Sequence, residues 1–154
     1  MINIYSPEEV AKIRAGGKIT AGVLQKVLEK VSPGVTTLEL DNFVDQEITT
    51  AGAKPSFKME KGYSFATCMC VNDMVVHGIP TNYKLQSGDI LGVDLGVFYK
   101  GFHSDASWTV EVGDKINNFL ETGKKALELA IAQCQIGNHI GDISKTIQDI
   151  VEAG

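Results

Sequence analysis

Between Ile90 and Val110 the chain alternates apolar and polar side chains in two runs, interrupted only around Tyr99-Lys100-Gly101. A period of two belongs to a half-buried strand, and a short interruption with glycine belongs to a reversal. The stretch is therefore expected to fold as an antiparallel β-hairpin, Ile90 to Phe98 and Phe102 to Val110. If Tyr99 faces Phe102 across a two-residue turn, Asp94 falls opposite Ser107 and Asp105 opposite Gly96. The two aspartates then share one face as diagonal neighbours, with Cα atoms roughly 7–8 Å apart. Val93, Leu95, Val97, Ala106, Trp108 and Val110 occupy the other face. A three-residue turn would separate the acids onto opposite faces, so every inference from the pair depends on register.

Carboxylates held this close repel each other, so one takes a proton or both bind a cation. The plainest reading of two aspartates in a hairpin is a solvated strand face. Against it, Asp is depleted from strand interiors, and Gly92 and Gly96 beside the acids weaken the strand further, which calls for a compensating reason. The glycines are expected to leave room above the acids for one or two cations. His103 lies on the same face, either orienting a carboxylate from behind or facing solvent.

The rest of the chain supplies helices and short strands around this hairpin. Ser6-Pro7-Glu8-Glu9 combines an N-cap, a proline at the first helical position and an acidic first turn. Apolar residues then recur at helical spacing from Val10 to Val31, and the helix is expected to end near Ser32-Pro33-Gly34. Gly16-Gly17 and Gly22 inside it mark a kink or a close approach to another backbone. Thr36 or Thr37 caps a second helix ending at Ala51-Gly52, after which the periodicity lapses into a loop up to Tyr63. Strand-like sequence covers Phe65 to Val71 and recurs near Val75-Val76. Two further helices are expected, roughly Lys115 to Gln133 and Asp142 to Glu152. The expected fold class is α/β of the α+β kind, an antiparallel β-sheet with helices packed on one face. With 154 residues, 44% of them hydrophobic and 21% charged, residues 1–154 are expected to form a single domain.

A formal net charge of -5, with no segment rich in Lys and Arg, argues against nucleic-acid or anionic-membrane partners. No apolar stretch approaches membrane-spanning length, and Met1 to Ser6 has no basic segment followed by an apolar run, which points to the cytoplasm. Cys68, Cys70 and Cys134 are odd in number and lack CxxC spacing, supporting neither a disulfide framework nor a structural zinc site.

The string Asn72-Asp73-Met74-Val75-Val76-His77-Gly78-Ile79-Pro80 is followed by Gly88-Asp89-Ile90, and then by Asp94 with ten residues between it and Asp105. Together with Pro55-Ser56-Phe57, Tyr63, Cys68 and the later Ile136 to Ile143 segment, it resembles the type I methionine aminopeptidases. The resemblance implies a pita-bread fold, in which two pseudo-symmetric halves enclose a dinuclear metal centre. It implies two divalent ions, Mn, Fe, Co or Zn, with Asp94 and Asp105 as ligands and Asp105 bridging. It also implies His77 as the catalytic group that donates to the substrate or tetrahedral intermediate, and Phe57, Tyr63 and Cys68 as the walls of a methionine pocket. Taken alone, His77 reads as a histidine satisfied at a turn; its place in the longer match reverses that preference. Met74 stands where the family commonly carries an acid.

The substrate implied is the N-terminus of a peptide or nascent chain, and the reaction is removal of its initiator methionine. The family's remaining ligands, a histidine and two glutamates, come from a C-terminal half that would begin just after Gly154. The expectation is therefore an N-terminal half, active with a missing C-terminal half or as a homodimer that faces Asp94 and Asp105 with their symmetry mates. The alternative is a catalytically inactive pita-bread-like half domain that binds peptide N-termini or a protein partner.

Overall fold

The structure, a computed structural model, describes residues 3–113 and 118–153. Contacts divide the chain into two compact units, Met1–Asp114 and Lys115–Gly154.

In the first unit, Ser6 closes a capping box. Its hydroxyl accepts the Glu9 N–H at 3.3 Å while the Glu9 carboxylate accepts the Ser6 N–H at 2.7 Å. This satisfies two of the free donors at the start of helix α1, Pro7–Leu28. Thr36 repeats the device with Glu39 for α2, Thr37–Thr50. Of the two readings of the glycines in α1, close approach holds at Gly16. A Cβ there would sit 3.3 Å from Ser104 Oγ and 3.6 Å from Tyr99 Cβ, and one turn later the Thr20 hydroxyl lies 2.6 Å from Ser104 Oγ. Gly17 and Gly22 have nothing within 4 Å of such a Cβ.

The sheet contains β1 (Lys54–Pro55), β2 (Thr67–Val71), β3 (Ile90–Tyr99) and β4 (Phe102–Glu111). Every pairing is antiparallel and every one is to β3. β4 runs along one edge of β3 for its full length, so β1 and β2 share the other edge, at 97–98 and 91–95 respectively. Leu91, Val93, Leu95 and Val97 are completely buried on one face, in a cluster with Val23 and Val27 of α1, Leu40, Val44 and Ile48 of α2, and Met69 of β2. The expected antiparallel sheet with helices on its apolar face is therefore present. Asp41, buried in α2, ties that helix to β2 by accepting the Ala66 and Thr67 N–H groups, each at 2.9 Å, and the Thr67 hydroxyl at 2.7 Å.

The hairpin register is the one the sequence requires for a two-residue turn. Tyr99 pairs with Phe102, Asp94 with Ser107 and Gly96 with Asp105. Lys100 and Gly101 both have positive φ, 48° and 90°, the type I′ conformation whose twist matches the strands it joins.

Four local expectations change. No strand forms at Val75-Val76: residues 72–80 are an irregular loop in which Val75 is 87% exposed. Its backbone turns at Asn72 and His77, with φ of 54° and 55°. Gly78 rather than a strand meets β2 there, its carbonyl accepting the Met69 N–H at 2.8 Å. Conversely, the stretch read as loop from Gly52 to Tyr63 contains β1 and a single 3₁₀ turn, Phe57–Met59. Trp108, on the apolar face of β4, remains 38% exposed rather than joining the core. Finally, the space over Gly96 is filled rather than open: a Cβ there would lie 2.7 Å from the Phe57 ring and 2.8 Å from Ser56 Cβ.

The second unit consists of α3, Asn118–Ala132, and α4, Ile140–Ala153. The expected start at Lys115 lies outside the described residues. α4 begins two residues before the expected Asp142. The Asp142 carboxylate caps that turn, accepting the His139 N–H at 2.7 Å. Ala126 and Ala130 are buried, whereas Ile140, Ile147 and Val151 are exposed.

Candidate active site

On the face of the sheet opposite the core, Asp94 and Cys68 sit side by side on β3 and β2, and Asp105 lies one diagonal step away on β4. These side chains line a cavity of about 350 Å³ together with Phe57, Glu60, Tyr63 and His77.

Each member is held there by a local feature. The Ser56 N–H donates to the Gly96 carbonyl at 2.8 Å, starting the 3₁₀ turn that lays Phe57 over Gly96. Only a residue without a Cβ permits that approach. The Tyr63 hydroxyl donates to the Thr67 carbonyl at 2.7 Å and lies 3.4 Å from Cys68 Sγ. His77 adopts a left-handed conformation, with φ 55°, on a loop pinned by Gly78. A Cβ on Gly78 would run into the Met69 carbonyl oxygen, and its N–H donates to Cys70 Sγ at 3.4 Å.

The electrostatics single out the acid pair. Burial, followed by the charge of Asp105 and a hydrogen bond shared with its carboxyl, pushes the Asp94 carboxyl up to about 6, while nearby His77 pulls it down. A proton on Asp94 is thus held more tightly than it would be in water. A cation would replace that proton, and two oxygen-donor carboxylates suit a divalent ion. Cys68 behaves differently. Burial is the main cause that raises its thiol, which favours an apolar wall over a thiolate ligand or nucleophile. Burial likewise raises the Tyr63 hydroxyl.

The structure therefore brings together His77, Asp94, Asp105, Phe57, Tyr63 and Cys68. It does not bring in His103, which is exposed. The His103 Nδ1 hydrogen-bonds Ser56 Oγ, and its ring lies 4.8 Å from that of Phe98, so it braces the segment that carries Phe57. Glu60 is the lining residue that sequence reasoning missed. It sits just beyond the 3₁₀ turn in a stretch without periodicity, and nothing in its local sequence marks it. Among the described residues, no group of three or more His, Cys, Asp or Glu side chains is close enough to hold a metal ion. Asp94 and Asp105 are a partial donor set.

Comparison with known proteins bears on this arrangement. Residues 11–154 match the sequence model of metallopeptidase family M24. The chain is 39% identical over 156 residues to a methionine aminopeptidase of Clostridium perfringens, covering 99% of this chain and 63% of that protein. It is 37% identical over 153 residues to one of Helicobacter pylori, covering 97% and 60%. The chain thus spans about three fifths of the length of these curated relatives. The crystal structure of methionine aminopeptidase from Thermotoga maritima superposes with a TM-score of 0.94 at 36% identity, over 99% of this chain and 63% of that one. A prolidase from Pyrococcus furiosus shares the fold at 21% identity, with a TM-score of 0.86 over 97% of this chain and 44% of that one. The architecture is that of the pita-bread enzymes, of which these residues form one part.

Proposed function

The chain belongs to metallopeptidase family M24, and from that premise we propose that it forms the acid-pair part of a site that removes N-terminal methionine from peptides. The observation that carries the proposal is the hairpin register, which sets Asp94 and Asp105 side by side in one cavity with Cys68, Tyr63, Phe57 and His77.

Asp94 and Asp105 would hold divalent cations, from among Mn, Fe, Co and Zn, and so relieve the repulsion between their carboxylates. Cations held there would supply Lewis-acid chemistry, activating water as the nucleophile and polarising the scissile carbonyl. His77 lies outside the carboxylate pair and donates an N–H to the carbonyl oxygen as negative charge develops on it. Phe57, Tyr63 and Cys68 form a wall that accepts a flexible thioether. His103 is a positioning residue that acts through Ser56 on Phe57. Two carboxylates do not balance the charge of two divalent ions, so further donors come from beyond the described residues. They are supplied either by polypeptide of the kind that makes up the remainder of the relatives or by a second copy of this chain. Among the described residues no helix is long and apolar enough to cross a membrane, and a nascent-chain substrate fits a reaction in the cytoplasm.

The test is release of methionine from a Met-Ala-Ser peptide with Mn or Co added. Release that needs the metal and is lost in Asp94→Asn supports the proposal. No release at high protein concentration, with the remaining part of a relative supplied, would overturn it. With only two donors grouped among the described residues, a second reading is a catalytically inactive half domain that binds peptide N-termini or a protein partner. That reading predicts binding that survives Asp94→Ala with Asp105→Ala.

A further inference from the structure

One carboxylate in the cavity is used neither by the fold nor by the acid pair. Glu60 is exposed. Its backbone N–H donates to the Phe57 carbonyl at 3.1 Å and its carbonyl accepts the Tyr63 N–H at 3.2 Å, which fixes its place in the wall. Its side chain has no hydrogen bond or ion pair among the described residues, and the neighbouring cation Lys58 is engaged by Asp45 at 2.9 Å. Nor does Glu60 join Asp94 and Asp105 in a group of three that could hold a metal. It is a third acid in the same space, standing apart from the first two.

A wall of Phe57, Tyr63 and Cys68 suits an unbranched apolar side chain. A carboxylate on the exposed side of that wall does nothing for a thioether and loses water when one binds. The combination instead fits a side chain with an apolar stem and a cationic head. Lysine and arginine lay their methylenes along apolar surface and keep the charged end at the boundary with water, where a carboxylate provides a charge-assisted hydrogen bond. Methionine and lysine share the unbranched stem, so the same wall accepts both, but only the basic residue gives Glu60 a partner.

We propose that Glu60 is a specificity-determining residue that extends the cavity's acceptance to peptides whose first residue is lysine or arginine. The inference rests on the reading that this cavity receives the N-terminal residue of a peptide.

The experiment compares Lys-Ala-Ser-Gly and Met-Ala-Ser-Gly peptides for binding to the 154-residue chain. It is followed by NMR shifts of labelled wild-type protein and Glu60→Gln. Both peptides are expected to move the Tyr63 and His77 signals and to compete with each other. Glu60→Gln weakens the lysine peptide by up to about fivefold, the range of an exposed ion pair, and does not weaken the methionine peptide. Raised salt erases the difference. If the methionine peptide binds but Glu60→Gln leaves the ratio of the two affinities unaltered, Glu60 has no such role and the peptide reading stands without it. An equal loss for both peptides also overturns the proposal, because it puts the shared α-ammonium on Glu60 rather than the side chain. Failure of both peptides to bind would remove the peptide reading and this inference together.

Discussion

Asp94 carries a carboxyl whose neutral form is favoured by the fold, because burial, the Asp105 charge and a shared hydrogen bond all act in the same direction. A carboxyl with a raised folded pKa contributes stability that is fully present below its unfolded value. That contribution is lost as pH rises through the folded one, here about 6. In chelator-treated protein, Asp94→Asn should match wild type in urea midpoint near pH 4 and exceed it at pH 8, because the amide never charges. A variant less stable than wild type at pH 8 would contradict this account. At Gly96 the argument is steric. An added methyl meets the Phe57 ring at 2.7 Å, and Gly96→Ala should lower unfolding stability by about 1–3 kcal/mol and displace the Phe57 wall. Shortening the ring in a Gly96→Ala, Phe57→Ala double variant should make the two changes non-additive, which a double-mutant cycle in urea would measure.

The hairpin is the element on which site geometry depends, and its turn holds a lysine in a left-handed conformation. Lys100→Asn should stabilise the protein by up to about 1 kcal/mol, since asparagine tolerates that region better; denaturant unfolding tests it. The elements legible in sequence are those set by local chemistry. Period-two alternation with Lys100-Gly101 gives the β3–β4 register, and Ser6-Pro7-Glu8-Glu9 marks the start of α1, while for α2 the sequence leaves Thr36 and Thr37 both open as the cap. Those that were not legible depend on distant partners. Val75 and Val76 have strand-forming side chains, but Gly78 takes the β2 contact they would need. The 3₁₀ turn at Phe57 exists because Ser56 docks on Gly96, which lies 40 positions away in the chain. Glu60 reaches the cavity by the same docking. The shared face of Asp94 and Asp105 was legible from register, and the grouping of Cys68, Tyr63, Phe57 and His77 around one cavity with them follows the family resemblance, while their roles are proposals. The link between His103 and Ser56 was not, since it too follows from the docking of the 3₁₀ turn.

At the scale of the whole molecule, the chain has the pita-bread architecture, belongs to metallopeptidase family M24, and is similar to methionine aminopeptidases over about three fifths of their length. Its described residues offer two carboxylate donors where an ion needs more. If a second copy completes the set, sedimentation equilibrium should show the mass moving from monomer to dimer when Mn is added. A monomer that still binds the ion would assign the remaining donors elsewhere. The joint grip of Asp94 and Asp105 on a cation is tested most directly by titrating Mn into chelator-treated protein at pH 7.5 by calorimetry, comparing wild type with Asp94→Asn, Asp105→Asn. The account predicts saturable heat for wild type and none for the double variant. Equal binding by both, or no binding by either once the remaining part of a relative is supplied, would contradict it.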